Sequence, residues 1–321
     1  MEVFTLTDDG LSATPGAVPS IITMGVFDGV HSGHACVLQM MQQEAALRGL
    51  RPVVVTFATH PAAVLGREVP SLLTTSDEKL ALLAQMGIPY CCVLPFNRDM
   101  AALTARQFMT QVLRDRLGAQ VLIMGHDHRF GSDGKRDASW YEACGDECGI
   151  EVLHAPRCGE ASSTLIRQAL LEGRLDEATR LLGHTFTLTG TVVHGRQVGR
   201  KLGFPTANLH VDSMKLIPQN GAYAVRVRLG DERFVGMMNI GTCPTFECGN
   251  IRQPEVHILD FDRDIYDEVL SVELVQRLRD EQRFDSPAAL TRQLEHDCQE
   301  VRQLLLHQLD NTPENNTTQA L

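Results

Sequence analysis

The sequence predicts an α/β domain, with a parallel sheet and helices on both faces, followed by an antiparallel β-barrel that ends in a helix. Three observations carry this reading. From Ser20 to about Leu182, short apolar runs alternate with segments of helical period, the pattern of a parallel sheet with crossover helices. After Gly183 the period changes to two, and short strands follow one another between Gly, Asp or Pro turns. A long helical run then closes the chain. A length of 321 residues fits about two domains. Their expected bounds are 1–183 and 184–309, and the polar run DNTPENNTTQAL at 310–321 is expected to be disordered.

In the first domain, Ile21–Met24 is an apolar strand that runs into Ala35–Leu47, whose apolar residues recur at helical spacing. Pro52–Phe57 (PVVVTF) is β-branched and reads as a buried strand. Thr75 and Glu78 form a capping-box pattern ahead of Lys79–Met86, and Gly87 stops that helix. Tyr90–Leu94 is the next strand and Thr104–Leu117 the next helix, closed by Gly118. Gln120–Met124 and Glu151–Ala155 are strands on either side of the helix Ala138–Cys148, and Ala178–Leu182 is helical. In the second domain Phe186, Leu188 and Val192 alternate with threonines, and Ala222–Leu229, Phe234–Ile240, Glu255–Phe261 and Leu270–Val275 continue as strands. Gly230-Asp231 gives the clearest hairpin signal. Ser286 as N-cap and Pro287 at the first position start the last helix.

Composition limits the function classes. With 43% hydrophobic and 21% charged residues the chain has the balance of a globular protein, and no run approaches the 18 apolar residues of a membrane span. A net charge of −11 argues against a nucleic-acid binder, which normally carries a basic footprint. Met1–Gly10 holds no signal-peptide pattern, and nine cysteines without one predict reduced thiols and a cytoplasmic location. His126 and His128 with Cys144 and Cys148 lack any fixed metal-ligand spacing, so no zinc site is expected. Oligomeric state is left open.

The densest chemistry lies in Gly25-Val26-Phe27-Asp28-Gly29-Val30-His31-Ser32-Gly33-His34, where a strand ends in a glycine-containing turn and a helix begins. Backbone N–H groups and the positive helix end attract phosphate there, and glycine lets a polyphosphate approach closely. His31 and His34, three residues apart, add donors that can face one anion. In an open parallel sheet ligands bind beyond the strand C-termini. Thr56–Pro61, Gly125–Gly131 and Ser162–Arg167 are predicted at that same edge. Ser162-Ser163-Thr164 is an ordinary N-cap by itself, and Arg167 one turn on adds a charged donor for phosphate oxygens. In the second domain Gly195, Gly199 and Gly203 alternate with Arg196, Arg200 and Lys201 in a loop suited to triphosphate, although glycine spacing alone favours an ordinary hairpin loop. Thr206 and Asn208 place two oxygen donors on one side of an extended segment, a reasonable pair for Mg²⁺.

The decamer resembles the signature of the HxGH nucleotidyltransferases. More narrowly, G-x-F-D-G-V-H-x-G-H is similar to that of the bacterial bifunctional riboflavin kinase/FMN adenylyltransferase family, the FAD synthetases. Further matches are Thr56, Phe57, His60 and Pro61; Gly125, Asp127, Phe130 and Gly131; and the run Ser162–Arg167. Thr59 and His128 depart from the family pattern. G-R-x-x-G-F-P-T-A-N at 195–208 resembles the riboflavin kinase signature, as do Asn239–Thr245, with Cys243 a departure, and Glu255–Phe261.

The resemblance implies a Rossmann-like nucleotidyltransferase domain followed by a riboflavin kinase barrel. It implies riboflavin, FMN and ATP as substrates, Mg²⁺ as cofactor, and no membrane partner. In the first domain it makes His31 and His34 catalytic. Gly25, Phe27, Asp28, Gly29, Ser163, Thr164 and Arg167 would bind ATP, and His60 and Asp127 the flavin substrate. In the second it makes Glu255 the base, Gly195, Gly199, Arg200 and Gly203 the ATP loop, and Thr206 and Asn208 the Mg²⁺ ligands. Two other readings are a single-activity nucleotidyltransferase with a non-catalytic barrel and a flavin-binding regulator with decayed sites. G-F-P-T-A-N with Glu255 argues against the first, and the histidine pair with S-S-T-x-I-R against the second.

Overall fold

The computed structural model describes residues 1–7, 10–12, 18–126, 128–134, 137–195, 198–242 and 252–309. The expected tail at 310–321 lies outside them. The chain divides into two compact units, Met1–Ser163 and Thr164–Leu321, ahead of the boundary expected at Gly183.

The first unit is built on seven strands: β1 (Glu2–Thr7), β2 (Gly10–Ser12), β3 (Ser20–Met24), β4 (Arg51–Phe57), β5 (Tyr90–Leu94), β6 (Ala119–Met124) and β7 (Glu151–His154). They lie in the order β2-β1-β5-β4-β3-β6-β7, and every pair is parallel except the hairpin β1–β2. Its helices are α1 (Ser32–Arg48), α2 (Pro61–Val64), α3 (Ser76–Gln85), α4 (Arg98–Ala102), α5 (Ala105–Phe108) and α6 (Ala138–Cys148). Alternation along the strands sends neighbours to opposite faces. Ile21 and Val54 pack with Leu38 and Met41 of α1 and Leu83 of α3. Ile22, Val53 and Val55 pack with Phe108 of α5 and Tyr141 and Cys144 of α6. Helices therefore cover both faces, as the strand–helix alternation predicts.

The differences are local. The expected helix 104–117 is α5 continued by a π-helical stretch, Met109–Arg114, in which the Asp115 N–H reaches back to the Thr110 carbonyl. Strand β1 was not expected; it docks parallel to β5 through Phe4 and Leu6, both buried. The cysteines are also not all reduced, because Cys36 of α1 is joined to Cys158, a pair whose Cα atoms lie 6.3 Å apart. Sequence could not bring these two together, since they are 122 residues apart.

The second unit begins with α7 (Ser163–Leu171, cut by the division after its first residue) and α8 (Leu175–Leu182). Strands β8 (Phe186–Val193), β9 (Ala207–Val211), β10 (Gly221–Leu229), β11 (Glu232–Thr242), β12 (Arg252–Ile258) and β13 (Val269–Arg279) close into an antiparallel barrel in the order β10-β11-β12-β9-β8-β13. The expected hairpin is present, with Leu229 opposite Glu232. The short α9 (Val198–Lys201) precedes β9, and α10 (Pro287–Leu309) follows the barrel. Helix α10 lays Val301 and Leu305 on Ala224, Val235 and Met237 of the barrel wall. Ser286 caps it by accepting the Ala289 N–H.

Candidate functional sites

In the first unit the sheet changes winding direction at β3. Its crossover through α1 leads to β4 on one side, whereas β6 lies on the other. A crevice at the C-terminal end of such a strand is where open α/β sheets bind ligands. The turn that fills it is strained: Phe27 has φ 51° and Val30 φ 38°, unusual for side chains of that bulk. Gly29, at φ 81°, takes the left-handed conformation without that cost.

His31 is the N-cap of α1, its Nδ1 accepting the backbone N–H of His34 at 3.3 Å. A neutral His31 ring then carries its proton on Nε2. The two imidazoles stack, with centroids 3.7 Å apart and planes 16° apart, and Phe27 meets His34 edge-on at 5.1 Å. Gly33 is needed for this, because a Cβ there would press to 3.1 Å on the His31 ring. Burial first, then the neighbouring His31, push the His34 imidazolium well below the usual histidine pKa. The His34 Nδ1 is buried without a hydrogen-bond partner among the described residues. The neutral His34 imidazole, stacked on His31 at a helix N-terminus, is placed where an arriving anion would be favoured.

Asp28 is engaged by the chain just ahead of α3. Its Oδ1 accepts from the N–H groups of Leu73 and Thr74, at 2.8 and 3.0 Å, and from the Thr74 hydroxyl. Thr74 Oγ1 in turn accepts the Gly29 N–H at 3.0 Å. Gly25 lies under the Phe27 ring, 3.3 Å from where its Cβ would stand. Ser163 reaches the same turn, its hydroxyl donating to the Asp28 carbonyl at 3.0 Å. His60 ends the β4 edge as the N-cap of α2, accepting the Ala62 N–H at 3.2 Å. Thr164 and Arg167 lie on α7, in the second unit, and Asp127 lies outside the described residues. Lys79 and Thr74, which hold the turn from α3 and its lead-in, were not singled out by sequence; no local motif marks either one.

In the second unit β9 pairs with β12 so that Asn208 stands opposite Glu255, and Asn239 of β11 stands on the other side of Glu255. Thr206 donates to Glu255 Oε2 at 3.3 Å, and Gln253 donates to the Asn208 Oδ1 at 3.2 Å. A Cβ at Gly195 would collide with the Asn208 amide, so that glycine is set by lack of room. Gly199, in α9, likewise leaves no room against the Phe204 carbonyl, and Gly203 turns the loop at φ 85°. His257, two residues beyond Glu255, bonds the Pro205 carbonyl through Nδ1 at 2.8 Å. A pocket of 380 Å³ opens beside Thr206, lined by Arg200, Ala207, Val256, Ile258 and Tyr266 among others. Tyr266 and the Asp262–Ile265 stretch of this wall were missed by sequence, since they carry no spacing pattern.

Magnesium favours oxygen donors and keeps much of its shell for water and phosphate. The Thr206 hydroxyl, the Asn208 carbonyl oxygen and the Glu255 carboxylate fit that preference. Among the described residues no group of three or more His, Cys, Asp or Glu side chains is assembled.

Comparison with known proteins follows the same division. The FAD synthetase family model matches residues 15–168, and the riboflavin kinase model residues 182–305. The bifunctional riboflavin kinase/FMN adenylyltransferase of Escherichia coli K12 is 39% identical over 283 residues, 86% of this chain and 90% of that one. The protein of the same name from Listeria monocytogenes is 36% identical, over 89% of this chain and 92% of that one. A solved structure described as a macrolide-efflux protein from Streptococcus pneumoniae superposes with a TM-score of 0.83 at 32% identity, covering 94% of this chain and 99% of that one. Efflux is said of that protein; among the described residues of this chain no helix is long and apolar enough to cross a membrane. The two family models together leave the single-activity alternative without support. The chain belongs to the bifunctional riboflavin kinase/FMN adenylyltransferase family, the FAD synthetases, and is an enzyme that phosphorylates riboflavin to FMN and adenylylates FMN to FAD with ATP.

Proposed function

We propose that the two activities belong to the two clusters just described, FMN adenylylation at the β3–α1 turn and riboflavin phosphorylation at Thr206, Asn208 and Glu255. The observation that carries this reading is that each cluster forms within a different unit, and each falls inside the matching family model. The domain bounds proposed with it are 1–183 and 184–309.

In the kinase half, Glu255 takes the proton of the riboflavin 5′-hydroxyl as that oxygen attacks the γ-phosphorus of ATP, and ADP leaves. Thr206 holds the carboxylate in place from 3.3 Å. When bound, Mg²⁺ neutralises the phosphate charge on which phosphoryl transfer depends. Thr206 and Asn208 would hold it, while Gly195, Gly199, Arg200 and Gly203 cover the phosphates. The 380 Å³ pocket, whose lining mixes apolar Val256, Ile258 and Phe261 with charged Arg200, Asp262 and Arg263, is the place for a substrate ring with polar substituents.

In the adenylyltransferase half, the FMN phosphate is already anionic near pH 7 and attacks the α-phosphorus of ATP without a base, releasing pyrophosphate. Charge stabilisation is then the main demand. His31, His34 and Ser163 meet it within the first unit, with Gly25, Phe27 and Gly29 shaping the turn and Asp28 anchoring it; Thr164 and Arg167, which belong to the second unit, keep the ATP role that the family resemblance gives them. His60 and Asp127 are assigned to the flavin side.

Paired variants separate the sites. Removing a positioned base costs about 10²–10⁴ in rate, so Glu255→Gln should nearly stop FMN formation and leave FMN adenylylation intact. His31→Ala with His34→Ala should abolish FAD formation and spare FMN formation. Chromatography of products from riboflavin or FMN with MgATP reads both, and equal loss of the two steps in either folded variant would refute its assignment.

A further inference from the structure

Lys79 is the unexplained group behind the β3–α1 turn. It sits in the first turn of α3 at 7% exposure, which is rare for an ammonium group. Its Nζ donates to the Val26 carbonyl at 3.3 Å and to the Phe57 carbonyl at 3.5 Å. Val26 opens the turn that carries Phe27 to His31, and Phe57 is the last residue of β4, three before His60. One buried cation therefore bridges the two segments that lead into the proposed adenylyl-transfer site.

The same region of α3 grips the turn from a second direction. Leu73 and Thr74, just ahead of the helix, hold the Asp28 carboxylate, and Thr74 accepts the Gly29 N–H. A capping box between Thr75 and Glu78 fixes where α3 starts. The Thr56 hydroxyl adds a bond to the Val26 carbonyl at 3.3 Å. The titratable groups acting on Lys79 are Asp28 and Cys91 of β5. Burial pushes the Cys91 thiol up to about 11, so it brings no charge near neutral pH, and the Asp28 carboxylate is already engaged. Burial also lowers the pKa of Lys79 itself. Desolvating an ammonium is costly, and a methionine would fill the space without that cost. A purely structural peg would not need the charge.

We propose that Lys79 is a positioning residue for FMN adenylylation, setting the spacing between the Val26–His31 turn and the Phe57–His60 segment. The inference rests on the assignment of that reaction to the β3–α1 turn. Misplacing catalytic groups by about 1 Å costs on the order of 10²-fold in rate.

The test uses Lys79→Met and Lys79→Gln in the full chain, with both half-reactions and the thermal unfolding midpoint measured on each preparation. Rates are normalised to folded protein. The kcat of FMN adenylylation should fall roughly 10–100-fold in Lys79→Met, with a smaller change in the KM for ATP and no change in riboflavin phosphorylation. Lys79→Gln keeps a donor too short to span both carbonyls and should lose less. A parental kcat in either folded variant, with only the midpoint lowered, would overturn the proposal and leave Lys79 a structural peg. His31→Ala with His34→Ala is run in parallel. If that protein still makes FAD at the parental rate, it is the assignment of the turn that fails, whatever Lys79 does.

Discussion

His34 is a histidine held neutral in the first turn of α1. Its Nδ1 has no partner among the described residues, and burial disfavours its charged form. Above the ordinary histidine pKa near 6.5, folded and unfolded chains both carry it neutral. As pH falls below that value the unfolded chain takes the proton first, so folding stability is lost, by up to about 1.4 kcal/mol per pH unit. The parent protein should therefore lose more stability than His34→Gln between pH 7.5 and 5.5, read as urea midpoints. Parallel loss in the two proteins would show that His34 is not held neutral; the similarly lowered His257 is common to both and cancels. The motif revealed this pair because strand, glycines and histidines coincide within ten residues. Asp28 shows the limit of that reading. It lies in the same decamer, yet its carboxylate bonds residues 73 and 74, some 45 positions away, which no local pattern displays.

Among the elements, the C-terminal helix depends on one buried ion pair as well as on its apolar stripe. Asp297 of α10 is 1% exposed and takes Arg279 of β13 through two bonds near 3 Å, with Gln293 donating at 2.8 Å. Breaking a buried pair from one side costs about 3–5 kcal/mol because a charge is left unmatched. Asp297→Ala should lower the stability of the barrel unit by about that much, measured by urea unfolding followed through riboflavin phosphorylation, and an unchanged midpoint would show the pair to be dispensable. Elements with strong periodicity were legible. Tyr90–Leu94 and Ala138–Cys148 coincide with β5 and α6, and the Ser286 cap and capping box at Thr75 are present. Strand β1 was not legible because six residues with the buried pair Phe4 and Leu6 give too short an alternation. Strand β9 was legible only as an extended segment carrying Asn208, because five residues give too short an alternation to set its bounds. The π-helical stretch reads from sequence as ordinary helix.

At the scale of the whole molecule, two clusters with separate chemistry predict complementation. A mixture of Glu255→Gln protein with the His31→Ala, His34→Ala protein should convert riboflavin to FAD, because FMN made by one chain diffuses to the other. Failure of the mixture, with each partner retaining its own half-reaction, would show that FMN does not pass through solution. The change of hydrophobic period after Gly183 announced two architectures, whereas the contacts set the division at Ser163, where α7 and α8 begin to count with the barrel. The two sheets also differ in what they offer to other chains. A closed barrel has no unpaired strand edge, so the kinase unit presents nothing for a stray strand to join. The open sheet must end at two edges, and it ends them with the three-residue β2 and the four-residue β7, where Glu151 is tied to Arg48. Short borders, and a charged one at β7, discourage strand addition. The unit whose crevice lies at the end of a central strand thereby keeps its two lateral borders unsociable.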